Sequence, residues 1–163
     1  MSQAVYLSEP GAGDLLSGST GIPLLLKASA ETTGGAYALL ESTLPPGDLM
    51  PVPHIHHAQD EAFYVVAGQL EVRTGDRSFI AAAGAFVLIP RGTPHTYRNA
   101  GSEPVTMIVI SSPPGIERVF IDLTAARLAA PDRPLPPDLV AEIGHRHGTS
   151  YLFALQPGAG ITS

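Results

Sequence analysis

The sequence predicts an all-β domain, an antiparallel barrel or sandwich with short helices near its end, and three observations predict it. Seventeen glycines and sixteen prolines are spread through the 163 residues, so turn formers recur roughly every ten residues. The runs between them are rich in Val, Ile, Leu, Thr and aromatic residues, which pack well on a pleated surface. After Pro113-Pro114-Gly115 the pattern changes, and apolar residues recur at helical spacing.

Taken in order, strands are expected over residues 22–28, 36–44, 62–67, 70–74, 77–82, 85–89, 95–99 and 106–111. Their turns are Gly34-Gly35, Pro45-Pro46-Gly47-Asp48, Gly68, Gly75-Asp76, Gly84, Arg91-Gly92-Thr93-Pro94 and Gly101-Ser102. Residues 116–130 place Val119, Phe120, Leu123 and Leu128 on one helical face, and residues 137–147 do the same with Leu139, Val140 and Ile143. Both helices are expected to pack outside the barrel. Residues 130–137 carry four prolines and read as an extended connector. The end from Pro157 reads as frayed. A typical domain holds roughly 100–200 residues, so one domain over 1–163 is expected, with a barrel core at about 36–112 and a helical extension at about 116–150.

Composition narrows the function. The net charge is −6, with one lysine and eight arginines scattered along the chain. No basic surface is concentrated enough to neutralise nucleic-acid phosphates or anionic lipid, so neither nucleic acid nor membrane is an expected partner. Cysteine is absent, which excludes disulfides, thiolate metal sites and cysteine nucleophiles. The start, MSQAVYLSEP, lacks the basic and apolar regions of a signal peptide, and no apolar run approaches the roughly 20 residues that span a bilayer. A cytoplasmic location is the expectation.

The chemistry concentrates in one stretch. His54, His56 and Glu61 lie within eight residues, and His95 lies a hairpin's length further on. Side chains alternate along a strand, so His54 and His56 share a face, and Glu61 and His95 join them if neighbouring strands bring them across. Three imidazoles and one carboxylate suit one divalent transition metal ion, whether Fe, Ni, Mn, Cu, Co or Zn, and a six-coordinate ion keeps two positions open. By the same alternation Phe63 and Val65 share Glu61's face, and with Val52 and Tyr97 they are the expected substrate pocket. Tyr64 should point outward, and His57 should face away from the ligands. His145 and His147 read as the end of the last helix, capped by Gly148. Lys27 reads as surface.

Two motifs carry a resemblance. Gly47-x6-His54-x-His56-x4-Glu61-x6-Gly68 resembles the first cupin motif, and Gly84-x5-Pro90-x-Gly92-x2-His95-x3-Asn99 the second. The first has six residues between its opening glycine and first histidine where the usual form has five, which lengthens a turn beside Pro51 and Pro53 and displaces no ligand. Residues 36–112 carry the resemblance, and the wording around His54 and Glu61 is similar to quercetin-dioxygenase-like bacterial monocupins. The resemblance implies a cupin jelly roll, or double-stranded β-helix, with His54, His56, Glu61 and His95 as metal ligands. It further implies a dioxygenase acting on a phenolic, flavonol-like or enolisable small-molecule substrate, with Glu61 as ligand and catalytic base. The alternatives are a non-redox cyclase or isomerase using the same ligands, and a cupin that binds a small ligand without turnover. A homodimer is expected, because a lone barrel exposes sheet edges, and residues before Ile22 were free to supply an exchanged strand.

Overall fold

Short apolar runs broken by turn residues build eleven strands and two helices in a computed structural model that describes residues 5–47 and 50–153. The strands are β1 (Asp14–Ser17), β2 (Pro23–Ala28), β3 (Ala38–Leu44), β4 (His54–His56), β5 (Asp60–Ala67) and β6 (Gln69–Thr74). They continue as β7 (Arg77–Ala82), β8 (Phe86–Ile89), β9 (Thr96–Asn99) and β10 (Val105–Ser112). The helices α1 (Ile116–Ala129) and α2 (Pro137–Arg146) follow, and β11 (Thr149–Tyr151) comes last. Asp48, which closes one expected turn, and the end from Pro157 lie outside the described residues.

One sheet runs β1-β2-β3-β10-β5-β8, a second β7-β6-β9 and a third β11-β4. An antiparallel bridge between His54 and His95 joins the last two into one layer. Alternation along β3, β5 and β10 turns Leu40, Leu44, Phe63, Val65, Met107 and Val109 inward, where they meet Leu70 and Val72 of β6 in one core. The ladders end at free edges among the described residues, so the expected barrel is two facing layers around that core and not one closed ring of hydrogen bonds. Gly68 makes the tight reversal from β5 to β6, where φ is +83° and a Cβ would lie 2.7 Å from the Pro104 carbonyl oxygen.

Three further strands lie outside the expected ranges. β1, at residues 14–17, pairs antiparallel with β2. β4 and β11 are three residues each and pair with one another. Lys27, partly buried, donates from Nζ to the carbonyls of Glu9 and Ala12 at 2.7 Å and ties down the N-terminal segment.

Helix α1 buries Ile116, Val119 and Leu123, and α2 buries Val140 and Ile143, which join Val119 and Leu123 in a second, smaller core. Pro137 occupies the first turn of α2, where its missing N–H costs nothing. His147 and Gly148 close that helix as expected, with Gly148 at φ +74° and His147 Nε2 2.8 Å from Asp122 Oδ2. No helix among the described residues is long and apolar enough to cross a membrane.

Candidate metal centre

Backbone pairing brings the four side chains together. In β4, Ile55 points away while His54 and His56 both turn inward. His54 and His95 exchange both backbone hydrogen bonds, at 2.9 and 3.0 Å, which sets their side chains opposite each other on one face. Glu61 comes from β5 in the facing layer, paired with Ile89 and Ser111. One ligand atom from each of His54, His56, Glu61 and His95 lies within 4.8 Å of all the others, and all four residues are buried.

The outer nitrogens of the three rings are held from behind. His54 Nδ1 donates to the Val52 carbonyl at 2.8 Å, and His95 Nδ1 to the Thr93 carbonyl at 3.0 Å. A carbonyl only accepts, so these rings carry their proton on Nδ1 and aim Nε2 at the centre. His56 Nδ1 lies 2.9 Å from Thr149 Oγ1. Its Nε2 is buried without a hydrogen-bond partner, 3.5 Å from Glu61 Oε2. A buried nitrogen lone pair facing two further imidazoles and a carboxylate is a donor set that fits a divalent cation.

Electrostatics agrees. Burial would raise the Glu61 carboxyl, yet the charges of His56 and His95 and the 2.8 Å hydrogen bond from His95 outweigh it and hold Glu61 far below the usual carboxylate range. It is an anion at any working pH. Burial, then the neighbouring His95 and His56, pushes His54 well below its ordinary value and favours the neutral ring that a ligand role would need. Burial lowers His95, but its 2.8 Å contact with Glu61 Oε2 more than offsets this and leaves it raised.

A narrow cavity leads to His54, His56 and Glu61. Tyr97 lies on its wall. Burial, and then the charge of Glu61, pushes the Tyr97 phenol far up, so it stays protonated. The other three residues expected in the pocket are placed elsewhere. Phe63 and Val65 are fully buried in the main core, where the Phe63 ring meets Tyr97 edge-on at 5.0 Å, and Val52 turns its carbonyl to His54. The reason is that the cavity opens toward β2, α1 and β11. Ile22, Leu24, Ile116, Val119, Phe120 and Tyr151 supply much of its wall. Helix α1 therefore closes the site in place of packing clear of it.

His57 faces away, as alternation requires, with Nε2 2.8 Å from Ser150 Oγ. Tyr64 points outward. His145 and His147 stand apart from the quartet. Sequence reasoning missed Thr149 and Tyr151, since no periodicity marks a three-residue strand so far along the chain.

The family described as Cupin domain matches residues 40–111, from β3 through β10, with all four candidate ligands inside. Quercetin 2,3-dioxygenase of Bacillus subtilis (strain 168) is 34% identical over 94 residues, which are 57% of this chain and 27% of that protein. Polyketide synthase CurC of Streptomyces cyaneus is 32% identical over 90 residues, 55% of this chain and 56% of that protein. The chain thus spans about a quarter and about half of these two relatives. KdgF from Halomonas sp. superposes with a TM-score of 0.54 at 21% identity, over 64% of this chain and 91% of that one, a likeness of fold. Domain match, motifs and fold agree that residues 40–111 form a cupin domain.

Proposed function

We propose that the protein is a metal-dependent enzyme, a dioxygenase acting on a phenolic, flavonol-like or otherwise enolisable small molecule. One observation carries the reading: a buried three-histidine, one-glutamate quartet presents His54, His56 and Glu61 to a cavity whose wall is rich in aliphatic and aromatic side chains. The 34% identity to a quercetin 2,3-dioxygenase supports the oxygen chemistry.

His54, His56, Glu61 and His95 would hold one divalent transition metal ion, Fe, Ni, Mn, Cu, Co or Zn. When bound, the ion supplies a Lewis-acidic position for a substrate oxygen and, if redox-active, a route for electrons between substrate and dioxygen. The protein's own groups do the rest. The aliphatic wall and the Tyr97 and Tyr151 rings orient a planar molecule and exclude water. Glu61 takes the substrate's hydroxyl proton as catalytic base. Its depressed affinity for protons favours the ligand role, so it acts as base only when its contacts to His56 and His95 loosen.

A second reading is a non-redox cyclase that polarises a carbonyl on the same ligands, favoured by the 32% identity to polyketide synthase CurC. Elemental analysis of the purified protein, then oxygen uptake against a flavonol and polyphenol panel with each reconstituted metal, separates the two. Oxygen consumption with Fe, Ni, Mn or Cu supports the dioxygenase. Turnover of zinc-loaded protein without oxygen supports the cyclase. A His95→Ala variant that keeps full metal content would overturn the site.

A further inference from the structure

All three imidazoles are braced at Nδ1, but the braces differ in kind. Val52 and Thr93 use backbone carbonyls two residues from the ring they hold. Thr149 uses a side-chain hydroxyl from 93 residues away. It stands in β11, beyond residues 40–111 that match the family. Thr149 is 1% exposed and directly opposite His56 in the β4–β11 ladder. Two positions along, Tyr151 lies opposite His54, with ring centroids 5.7 Å apart.

We propose that the segment after the family-matched core completes the metal centre, with Thr149 as a positioning residue whose hydroxyl accepts the His56 Nδ1 proton and keeps Nε2 free to ligate. The inference rests on the metal reading of the quartet. A neutral imidazole has two tautomers, and the partner at one nitrogen decides which is present. At His56 the competing tautomer puts the proton on Nε2, 3.5 Å from the Glu61 carboxylate. That carboxylate attracts it. Without the Thr149 acceptor the ring is drawn to the form that donates to Glu61 and has no lone pair for a cation. His54 and His95 face no such choice at Nδ1, because neither carbonyl brace depends on a side chain.

The test compares wild type with Thr149→Val, which keeps shape and removes the acceptor, and Thr149→Ser, which restores it. In metal-free protein labelled with ¹⁵N-histidine, the ring-nitrogen shifts of His56 should report the Nδ1–H tautomer in wild type and Thr149→Ser, and the Nε2–H tautomer in Thr149→Val. Affinity for Zn(II) and Co(II), by chelator competition, should fall about 10–100-fold in Thr149→Val, the range for losing such a brace, and recover in Thr149→Ser. An Nε2–H tautomer in wild type, or unchanged tautomer and affinity in Thr149→Val, overturns the inference. If wild type binds neither metal, the metal reading fails, while the tautomer in metal-free protein still decides the role of Thr149. Should the valine variant not fold, Thr149→Ala removes the same acceptor and is read the same way.

Discussion

Glu61 is the sole charged ligand in the candidate quartet, and it is held ionised by two histidines in a buried site. Glu61→Gln keeps the volume and removes the charge, leaving three neutral rings around the cation. Divalent metal affinity should then fall roughly 100-fold, measured by chelator competition, and an unchanged affinity would remove Glu61 from the ligand set. Glu71 is the other buried carboxylate with charged partners. Hydrogen bonds from Arg73 at 2.8 Å and Arg98 at 2.5 Å outweigh its burial and hold it down from 4.5 to about 2. The folded state thus binds the proton less tightly than the unfolded chain. The stabilisation is fully present above the ordinary carboxylate pKa and is lost as pH falls through about 2. The arginine side chains are 37% and 31% exposed, so solvent screening leaves about 1–2 kcal/mol. Chemical denaturation between pH 6 and pH 2 should show a shallower loss in Glu71→Gln than in wild type. Parallel curves would show that the two ion pairs contribute nothing. At this scale the quartet was legible because strand alternation and motif spacing act over a few residues, whereas a lone threonine hydroxyl 93 residues away has no local signature.

Elements repeat that contrast. The strands from 22–28 through 106–111 were legible because glycine and proline turns punctuate them and apolar residues alternate within them. β11 was not. It has three residues, too few to show a period, and it pairs with a β4 that is distant in the chain. The pocket wall was misplaced for a related reason, since alternation says which face Phe63 and Val65 take but not how far along β5 the cavity reaches. What seats β11 is Gly144 of α2, where a Cβ would lie 2.7 Å from the Tyr151 ring and 2.9 Å from the Thr149 carbonyl oxygen. Gly144→Ala sets two effects against each other. Alanine favours the helix by about 1 kcal/mol, while contacts this short force backbone or a packed ring to move, typically at about 1–3 kcal/mol. Backbone is the less able to yield, so the clash should win. The variant should unfold at lower denaturant and bind Zn(II) more weakly, because its displaced strand carries Thr149. A stabilised variant with unchanged affinity would show that α2 does not seat β11.

For the molecule as a whole, the two layers leave a free edge at β8, whose Phe86 and Leu88 are 61% and 56% exposed beside Tyr64 and Val66 of β5. A second copy laid antiparallel along β8 would cover this apolar outer face and extend the ladder. Sedimentation equilibrium should then give a homodimer, with Phe86→Lys shifting it to monomer; a monomeric wild type would refute the arrangement. A metal ion held by the quartet would act on the same architecture from inside. His54, His56 and His95 belong to one layer and Glu61 to the other, so a bound ion cross-links the two across the core. An ion that binds only the folded state stabilises it by about 4 kcal/mol at a thousandfold excess over Kd, which for a domain of this size raises the Tm by about 10 °C. Adding EDTA to loaded protein should reverse the gain. His95→Ala should show little of it, since the variant cannot complete the link. Hydrogen exchange gives the decisive pattern, because a cross-link should slow exchange in β4 and β5 together upon loading. Slowing confined to one layer would place the ion on a surface and not between the sheets.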